Sequence, residues 1–350
     1  MRSRLPQRLS PGFSLLEVML ASCLLLGILA ITFSILNSSL DLWRRTNAEI
    51  SVFQNSRVAF DVMIRRLSQA TLNTYWDYFD ASFTPYRQAS TPATFVPKYY
   101  GRYSDLAFTC GNASSLISTL PPNCSAVGTH AVFFQAPTGL TTQGGTGETG
   151  DLLSVCGYFV AFGNDNATRP SIYNAPACYR WRLMEVSAPT ELFPVFKTTS
   201  QNTWFTSLIA EGKVHPLIDN VIALIVWPRL SPLYDSTGSS LSSDYSYNSR
   251  TSAAWTGSPL VQPVQASQLP PNLQITMVVI DEEAALHIQT GSTAPTQITE
   301  ALAGLFSKSD VTDYATDLGT LETRLKARRI NYRVFSTTVA LPESQGGQTP

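Results

Sequence analysis

Charge is scarce in this sequence. Asp, Glu, Lys and Arg make up 14% of its 350 residues, and 24 Lys and Arg against 25 Asp and Glu leave a net charge of −1. Without a basic excess there is no electrostatic footprint for nucleic acid and no broadly basic face for a membrane surface. Histidine is scarcer still: His130, His215 and His287 stand far apart and no Cys-x-x-Cys pair accompanies them, so zinc-ligand spacing is missing. The many serines form no Gly-x-Ser-x-Gly elbow, no glycine-rich phosphate loop occurs, and the stretch from Asp244 to Arg250 is too poor in carboxylates for a calcium loop. Asp281-Glu282-Glu283 reads as a solvated turn at a strand end rather than as a calcium ligand set or an acid/base pair. His130, inside an apolar run, reads as a core or edge histidine. These absences argue against an enzyme, and no cofactor or metal is expected.

What is present in excess is an apolar N-terminal run. Arg2, Arg4 and Arg8 precede Pro11-Gly12-Phe13-Ser14-Leu15-Leu16-Glu17-Val18, and from Phe13 to Leu36 the only formal charge is Glu17. As a helix that run is roughly 36 Å long, enough to cross a hydrocarbon core of about 30 Å. It is too long, with the wrong flanks, for a cleavable secretory signal. A carboxylate inside such a span costs a few kcal/mol and calls for a reason. Beyond the span, Leu36, Leu40, Trp43, Ile50, Phe53, Phe60, Ile64 and Leu67 recur at helical spacing, with Arg44, Arg45, Arg57, Asp61, Arg65 and Arg66 largely off the stripe. The spacing predicts one helix from Phe13 to Asn73, roughly 90 Å long, packing its stripe on a sheet. Tyr75, Trp76, Tyr78, Phe79 and Phe83 then mark an aromatic exit.

After Pro85 the signals are β. Runs rich in Val, Ile, Phe and Tyr, bounded by Pro, Gly, Asn and Ser, predict strands at Leu106–Thr109, His130–Gln135, Gly157–Phe162, Tyr179–Glu185, Val221–Trp227, Leu273–Ile280 and Tyr332–Leu341. Gly157–Phe162 and Tyr179–Glu185 form a hairpin with a long loop. A second helix is expected over Ser309–Arg328, where Val311, Tyr314, Leu318, Leu321 and Leu325 keep a three-four spacing. Pro137–Gly150 reads as a loop, and so does Ser231–Gln268, a length that points to function or disorder. In the latter, Tyr245, Tyr247 and Arg250 either anchor a partner, as aromatic and Arg side chains do in interfaces, or pin the loop to its own domain. Cys23 lies in the apolar run. The other four cysteines, Cys110, Cys124, Cys156 and Cys178, suggest disulfides in an oxidising compartment. Sequential pairing, Cys110 with Cys124 and Cys156 with Cys178, is favoured over the two other connectivities, with free buried thiols as the alternative.

The basic leader ending in Gly12, followed by Phe13 and Glu17 at the head of an apolar helix, resembles the N-terminal signature of type IV pilins and pseudopilins. The resemblance implies cleavage after Gly12 by a prepilin peptidase, N-methylation of Phe13, and a Glu17 carboxylate that pairs with the amine of a neighbouring processed chain. Pairing of that kind lowers a desolvation cost that neither buried charge could bear alone. Further stretches, among them Thr129–Pro137, Cys156–Val160, Tyr179–Glu185, Tyr245–Arg250, Leu269–Pro271 and Ile330–Phe335, resemble the Verru_Chthon cassette protein C family. Arg57-Val58-Ala59-Phe60-Asp61 and Leu269-Pro270-Pro271 are also similar to J-type minor pseudopilins of type II secretion. The implied protein is α+β: a leader at 1–12, a transmembrane helix at 13–36, its continuation at 37–73 packed on an antiparallel sheet, a β-rich ectodomain at 74–341 and a flexible tail at 342–350. The implied role is that of a structural minor subunit of a pilus-like or secretion-like assembly in the bacterial inner membrane. Its N-terminus is cytoplasmic and its ectodomain periplasmic, and its partners are membrane lipid and other pilin-like subunits. A filament-tip adhesin or substrate-binding module is the alternative.

Overall fold

A computed structural model describes residues 14–142, 152–166, 169–170, 172, 176–192, 204–250, 255, 261–289 and 291–342. The chain forms two compact units, Met1–Ser51 and Val52–Pro350. In chain order its elements are α1 (Leu15–Leu67), β1 (Tyr75–Phe79), β2 (Tyr99–Tyr103), β3 (Thr109–Asn112), α2 (Ala113–Leu116), β4 (Cys124–Pro137), β5 (Leu153–Asn164), β6 (Tyr179–Ala188), α3 (Thr206–Ala210), β7 (Val214–Asp219), β8 (Val221–Arg229), β9 (Tyr247–Asn248), β10 (Asn272–Ile280), α4 (Glu282–His287), α5 (Thr296–Leu302), α6 (Val311–Ala327) and β11 (Tyr332–Ala340).

The first unit contributes only helix α1 to the described residues. Every side chain described there is exposed, including Leu36, Leu40, Trp43 and Ile50. The expectation that these four pack on a sheet is therefore corrected. Burial of α1 begins in the second unit, where Phe53, Ser56, Phe60, Met63 and Leu67 form a three-four stripe. Ser56 turns its hydroxyl back to the Val52 carbonyl at 2.7 Å, which lets a polar residue sit in that stripe. The Phe60 ring meets Phe335 at 6.0 Å, and the Arg333 guanidinium lies 4.8 Å over Phe53. At the helix end Arg66 pairs with Glu185, which also accepts a 2.9 Å hydrogen bond from the Tyr158 hydroxyl.

The helix stops at Leu67, short of Asn73. Gln69 N and Ala70 N turn to the Arg66 and Leu67 carbonyls at 3.1 and 3.0 Å, and Thr71 N to the Gln135 carbonyl at 3.0 Å. The backbone therefore leaves the helical ladder before it reaches Asn73, whose side chain binds the segment after β2. Its Oδ1 accepts from the Ser104 hydroxyl at 2.9 Å and from the backbone N–H groups of Asp105 and Leu106 at 2.9 and 3.1 Å.

Among the described residues three antiparallel sheets follow: β7-β6-β5-β4-β3-β9, β11-β10-β8 and the hairpin β1-β2. Six of the seven expected strands lie within β4, β5, β6, β8, β10 and β11, apart from Leu341 just past the end of β11, and the expected hairpin is the β5–β6 pair, with Phe159 opposite Met184. The seventh differs. Leu106–Phe108 stay outside the ladder because side chains take their N–H groups: Gln135 Oε1 accepts from Ala107 at 2.9 Å and Ser249 Oγ from Phe108 at 2.8 Å. β3 starts only at Thr109. The expected C-terminal helix is α6, capped by the Asp310 carboxylate, which accepts from Thr312 N at 2.7 Å.

Both faces of the six-stranded sheet are buried, which is why β5 reads as an apolar run without alternation. One face, with Cys156, Tyr158, Val160 and Phe162, shares a core with β8, β10 and the end of α1. The other, with Val155, Phe159 and Ala161, packs on Trp204, Phe205, Leu208 and Ile209. β4 carries a bulge between Val127 and Ala131. There Thr129 and His130 turn towards β8: Thr129 Oγ1 accepts from Leu224 N at 3.1 Å and His130 Nδ1 from Val226 N at 3.2 Å.

Candidate functional site at the exposed N-terminal helix

Leu15–Trp43 is long and apolar enough to cross a membrane, and none of it is buried within the protein. Gly12 and Phe13, the expected cleavage and methylation positions, lie outside the described residues, as do the leader and the tail from 343. Glu17 is described, and it has a local partner in Ser14. The Ser14 hydroxyl accepts from Glu17 N at 3.2 Å, while Glu17 Oε2 accepts from Ser14 N at 3.4 Å. This reciprocal arrangement is a capping box: each side chain satisfies a backbone donor that the helix start leaves open. The Ser14-x-x-Glu17 spacing was legible in the sequence. Helix-dipole attraction adds a second local reason for a carboxylate at this end.

The expected disulfides are corrected. Cys110, Cys124, Cys156 and Cys178 are free thiols, as is Cys23. The registers show why sequential pairing fails. In an antiparallel hairpin the start of one strand faces the end of the next. Cys156, near the start of β5, is level with Ser187, whereas Cys178 precedes β6 at the loop end, where Asn164 faces Tyr179. The strand between those positions spans roughly 27 Å, and a disulfide needs Cα atoms within about 7 Å. Cys110 likewise faces Val132, while Cys124 stands at the far end of β4 opposite Gly163. Burial pushes the Cys156 thiol up to about 11, only partly countered by Arg66, and it raises Cys110 and Cys124 as well. None of these three is an activated thiolate.

Tyr245, Tyr247 and Arg250 hold their own loop, and the partner-contact reading is corrected. Tyr245 is fully buried, with its ring 4.8 Å from His130 and 5.8 Å from Trp227. The Tyr247 hydroxyl donates to the Gln268 carbonyl at 2.9 Å, and its strand pairs with Cys110 in β3. Arg250 donates to the Asp105 carbonyl. Earlier in the same loop the Asp235 carboxylate collects Gly238 N, Ser240 N and the Thr237 hydroxyl at 2.8, 2.9 and 2.9 Å. The described residues of the long Ser- and Tyr-rich segment are thus tied down by buried aromatics and by the carboxylates of Asp235 and Asp244, the latter accepting from the Ser242 hydroxyl and Ser246 N at 3.0 and 3.2 Å.

His130 is buried with both ring nitrogens engaged. Nδ1 accepts from Val226 N, which leaves Nε2 protonated and donating to the Phe306 carbonyl at 3.2 Å. Burial lowers its pKa to about 4, so the ring is neutral and joins β4, β8 and the turn before α6. Asp281 caps α4 through Ala284 N at 2.7 Å, and Glu282 pairs with buried Arg180 at 2.8 Å. Among the described residues no group of three or more His, Cys, Asp or Glu side chains is placed to hold a metal ion. No protein-family model, no curated protein and no solved structure matches this chain.

Proposed function

We propose that this chain is a pilin-like structural subunit, anchored in a membrane by Leu15–Trp43 and assembled with related subunits through the same helix. The observation that carries the reading is the exposed apolar segment of 29 residues, which belongs to the same α-helix as the stripe Phe53–Leu67 in the second unit's core. An apolar helix left exposed among the described residues needs lipid or a neighbouring helix around it. In this reading a prepilin peptidase cuts after Gly12, Phe13 is methylated, and the Glu17 carboxylate meets the amine of an adjacent processed chain. The second unit then lies on the periplasmic side of the inner membrane. The role is structural rather than catalytic. An adhesin that uses Tyr245, Tyr247 and Arg250 finds little support, since those side chains are spent holding the loop to its own domain.

Substitution of Glu17 tests the assembly role and separates it from capping. Glu17→Gln keeps an oxygen that can accept from Ser14 N but removes the charge, whereas Glu17→Ala removes both. If Glu17 pairs with a neighbour's amine, both variants insert into membranes yet crosslink poorly to partner subunits, because an unpaired buried charge is left behind. If Glu17 only caps the helix, the Gln variant assembles like the parent and the ion-pair account fails. N-terminal sequencing of membrane-extracted protein checks the processing step separately. A mature chain that retains Met1–Gly12 in cells with a prepilin peptidase refutes it.

A further inference from the structure

The β1–β2 hairpin sorts its aromatic residues onto two faces. The inner one packs around Trp255, which lies 5.8 Å from Phe79 and 5.4 Å from Tyr99, while Phe83 stacks on Tyr99 at 5.0 Å. Gly101 makes room for this packing: a Cβ there would stand 2.5 Å from the Trp255 ring. These contacts hold the hairpin to its surroundings. The outer face is different. Trp76, Tyr78 and Tyr100 are 58%, 55% and 54% exposed. They touch one another, Trp76 with Tyr100 at 5.3 Å and nearly parallel, Tyr78 with Tyr100 at 5.0 Å. The register accounts for the row, since Tyr78 faces Tyr100 directly and Trp76 stands one step diagonal to it. Exposed rings in contact form a patch that the hairpin's own packing does not require, and such patches mark binding surfaces.

Two residues beyond this row on each strand opens a recess of about 490 Å³, lined by Asp80, Ser82, Thr84, Gln88, Ser90 and Lys98 among others. Asp80 Oδ1 accepts from the backbone of Ser82 and Thr84 at 2.8 and 2.9 Å, which sets the shape of the turn. The lining carries one acid and one base, so it offers no net charge to an ionic ligand, and it mixes hydroxyls and the Gln88 amide with apolar surface from Phe95, Val96 and Pro97. Aromatic rings followed along both strands by a recess of balanced charge with several hydroxyls fit one ligand chemistry closely. A sugar ring presents a C–H face that stacks on aromatic side chains and hydroxyls that need hydrogen-bond partners. An anionic lipid surface would call for a cationic rim, and a flat protein partner would leave the recess unfilled.

We propose that the outer face of the β1–β2 hairpin binds a neutral polysaccharide, which lies along Trp76, Tyr100 and Tyr78 and ends in the recess before Lys98. From Trp76 to Asp80 the strand covers roughly 14 Å, room for a short oligosaccharide rather than a single sugar. The proposal stands apart from the pilin-like reading, since it uses neither the apolar helix nor Glu17.

The test uses the full chain in detergent micelles, retained or not on microcrystalline cellulose, chitin and agarose. Cellohexaose and chitohexaose titrations, read by tryptophan fluorescence, give the affinity. The expected result is retention on at least one of the three matrices, insensitive to salt, with Trp76→Ala and Tyr78→Ala each weakening binding roughly tenfold. Tyr234→Ala, at an exposed position elsewhere, leaves binding unchanged. Melting curves confirm that each variant is folded, and Trp76→Phe, which keeps a ring, binds with intermediate strength. No retention on any matrix overturns the proposal, as does equal retention of parent and ring variants. Salt-sensitive retention overturns it too.

Discussion

Acidification from pH 7 to 4 should destabilise the second unit, and His130 sets the window. In the unfolded chain the imidazole protonates near its ordinary value of 6.5, whereas in the fold burial holds it down to about 4, against the opposing pull of the Phe306 carbonyl and Asp244. The unfolded state therefore binds the extra proton first, and stability falls as pH drops through that interval. A gap of that width is worth about 3 kcal/mol once complete. His130 is 2% exposed, so solvent screening takes little away. The full contribution is present above pH 6.5 and gone below about 4. The lowered carboxylates act elsewhere on the scale. Asp235, where burial is outweighed by hydrogen bonds from Ser240, Thr237 and Gly238, and Asp244, held down chiefly by the Ser246 hydroxyl, lose their contributions below their ordinary value of 3.8. Denaturant unfolding of a Val52–Pro350 fragment at half-unit steps from pH 7 to 4 measures the slope. His130→Gln removes the titrating group and keeps an amide donor and acceptor, so subtracting its profile cancels the contributions of other groups. The variant should start less stable at pH 7 and lose less between pH 6.5 and 4. Parallel profiles for the two proteins would refute the reasoning.

The same Val52–Pro350 fragment should be soluble and monodisperse without detergent, because the exposed apolar helix is gone while Phe53–Leu67 still cover the core; aggregation during gel filtration would count against that boundary. Gly163→Ala should cost about 2 kcal/mol, since the new Cβ would stand 2.4 Å from the Asn123 carbonyl and 2.9 Å from Cys124 Cα, both backbone atoms with little room to yield; an unchanged melting midpoint would contradict it. Reducing and non-reducing electrophoresis should coincide, with Cys110 and Cys156 reacting with thiol reagents only after unfolding, and peptide mapping that finds any cystine would overturn the free-thiol assignment.

The strands were legible because their composition is local: β-branched and aromatic runs between Pro, Gly and Asn mark the buried centres of β4, β5, β6, β8, β10 and β11, although β4 and β5 begin earlier than those runs. The helix stripe was legible only in part. Leu36, Leu40, Trp43 and Ile50 share the spacing of Phe53, Phe60 and Leu67, yet only the latter three meet a core. Periodicity says which face is apolar and leaves open whether anything covers it. Leu106–Phe108 carried a strand's composition but gave up their N–H groups to Gln135 and Ser249, partners too far along the sequence for a window of neighbours to reveal.

Register carries the larger lesson for the candidate sites. Cys156 and Cys178 flank one hairpin in sequence, and proximity to its loop suggested proximity in space. An antiparallel ladder reverses that relation, because the residue opposite the start of β5 is at the end of β6, and Ser187 rather than Cys178 stands there. The Tyr245–Tyr247 pair was balanced between partner contact and self-anchoring for a similar reason. What decides it is His130 and Trp227 on one side and Gln268 on the other, none of which is near in sequence. The aromatic alternation Tyr75-Trp76-Asp77-Tyr78-Phe79 poses the same problem in its simplest form. The pattern says that two faces differ, but the buried one is set by Trp255, on a distant loop, packing against Phe79 and Tyr99 and into the space left by Gly101. With that side taken, Trp76, Tyr78 and Tyr100 stay more than half exposed and touch chiefly one another among the described residues, so the position of one remote indole decides which three rings lie on the outer face.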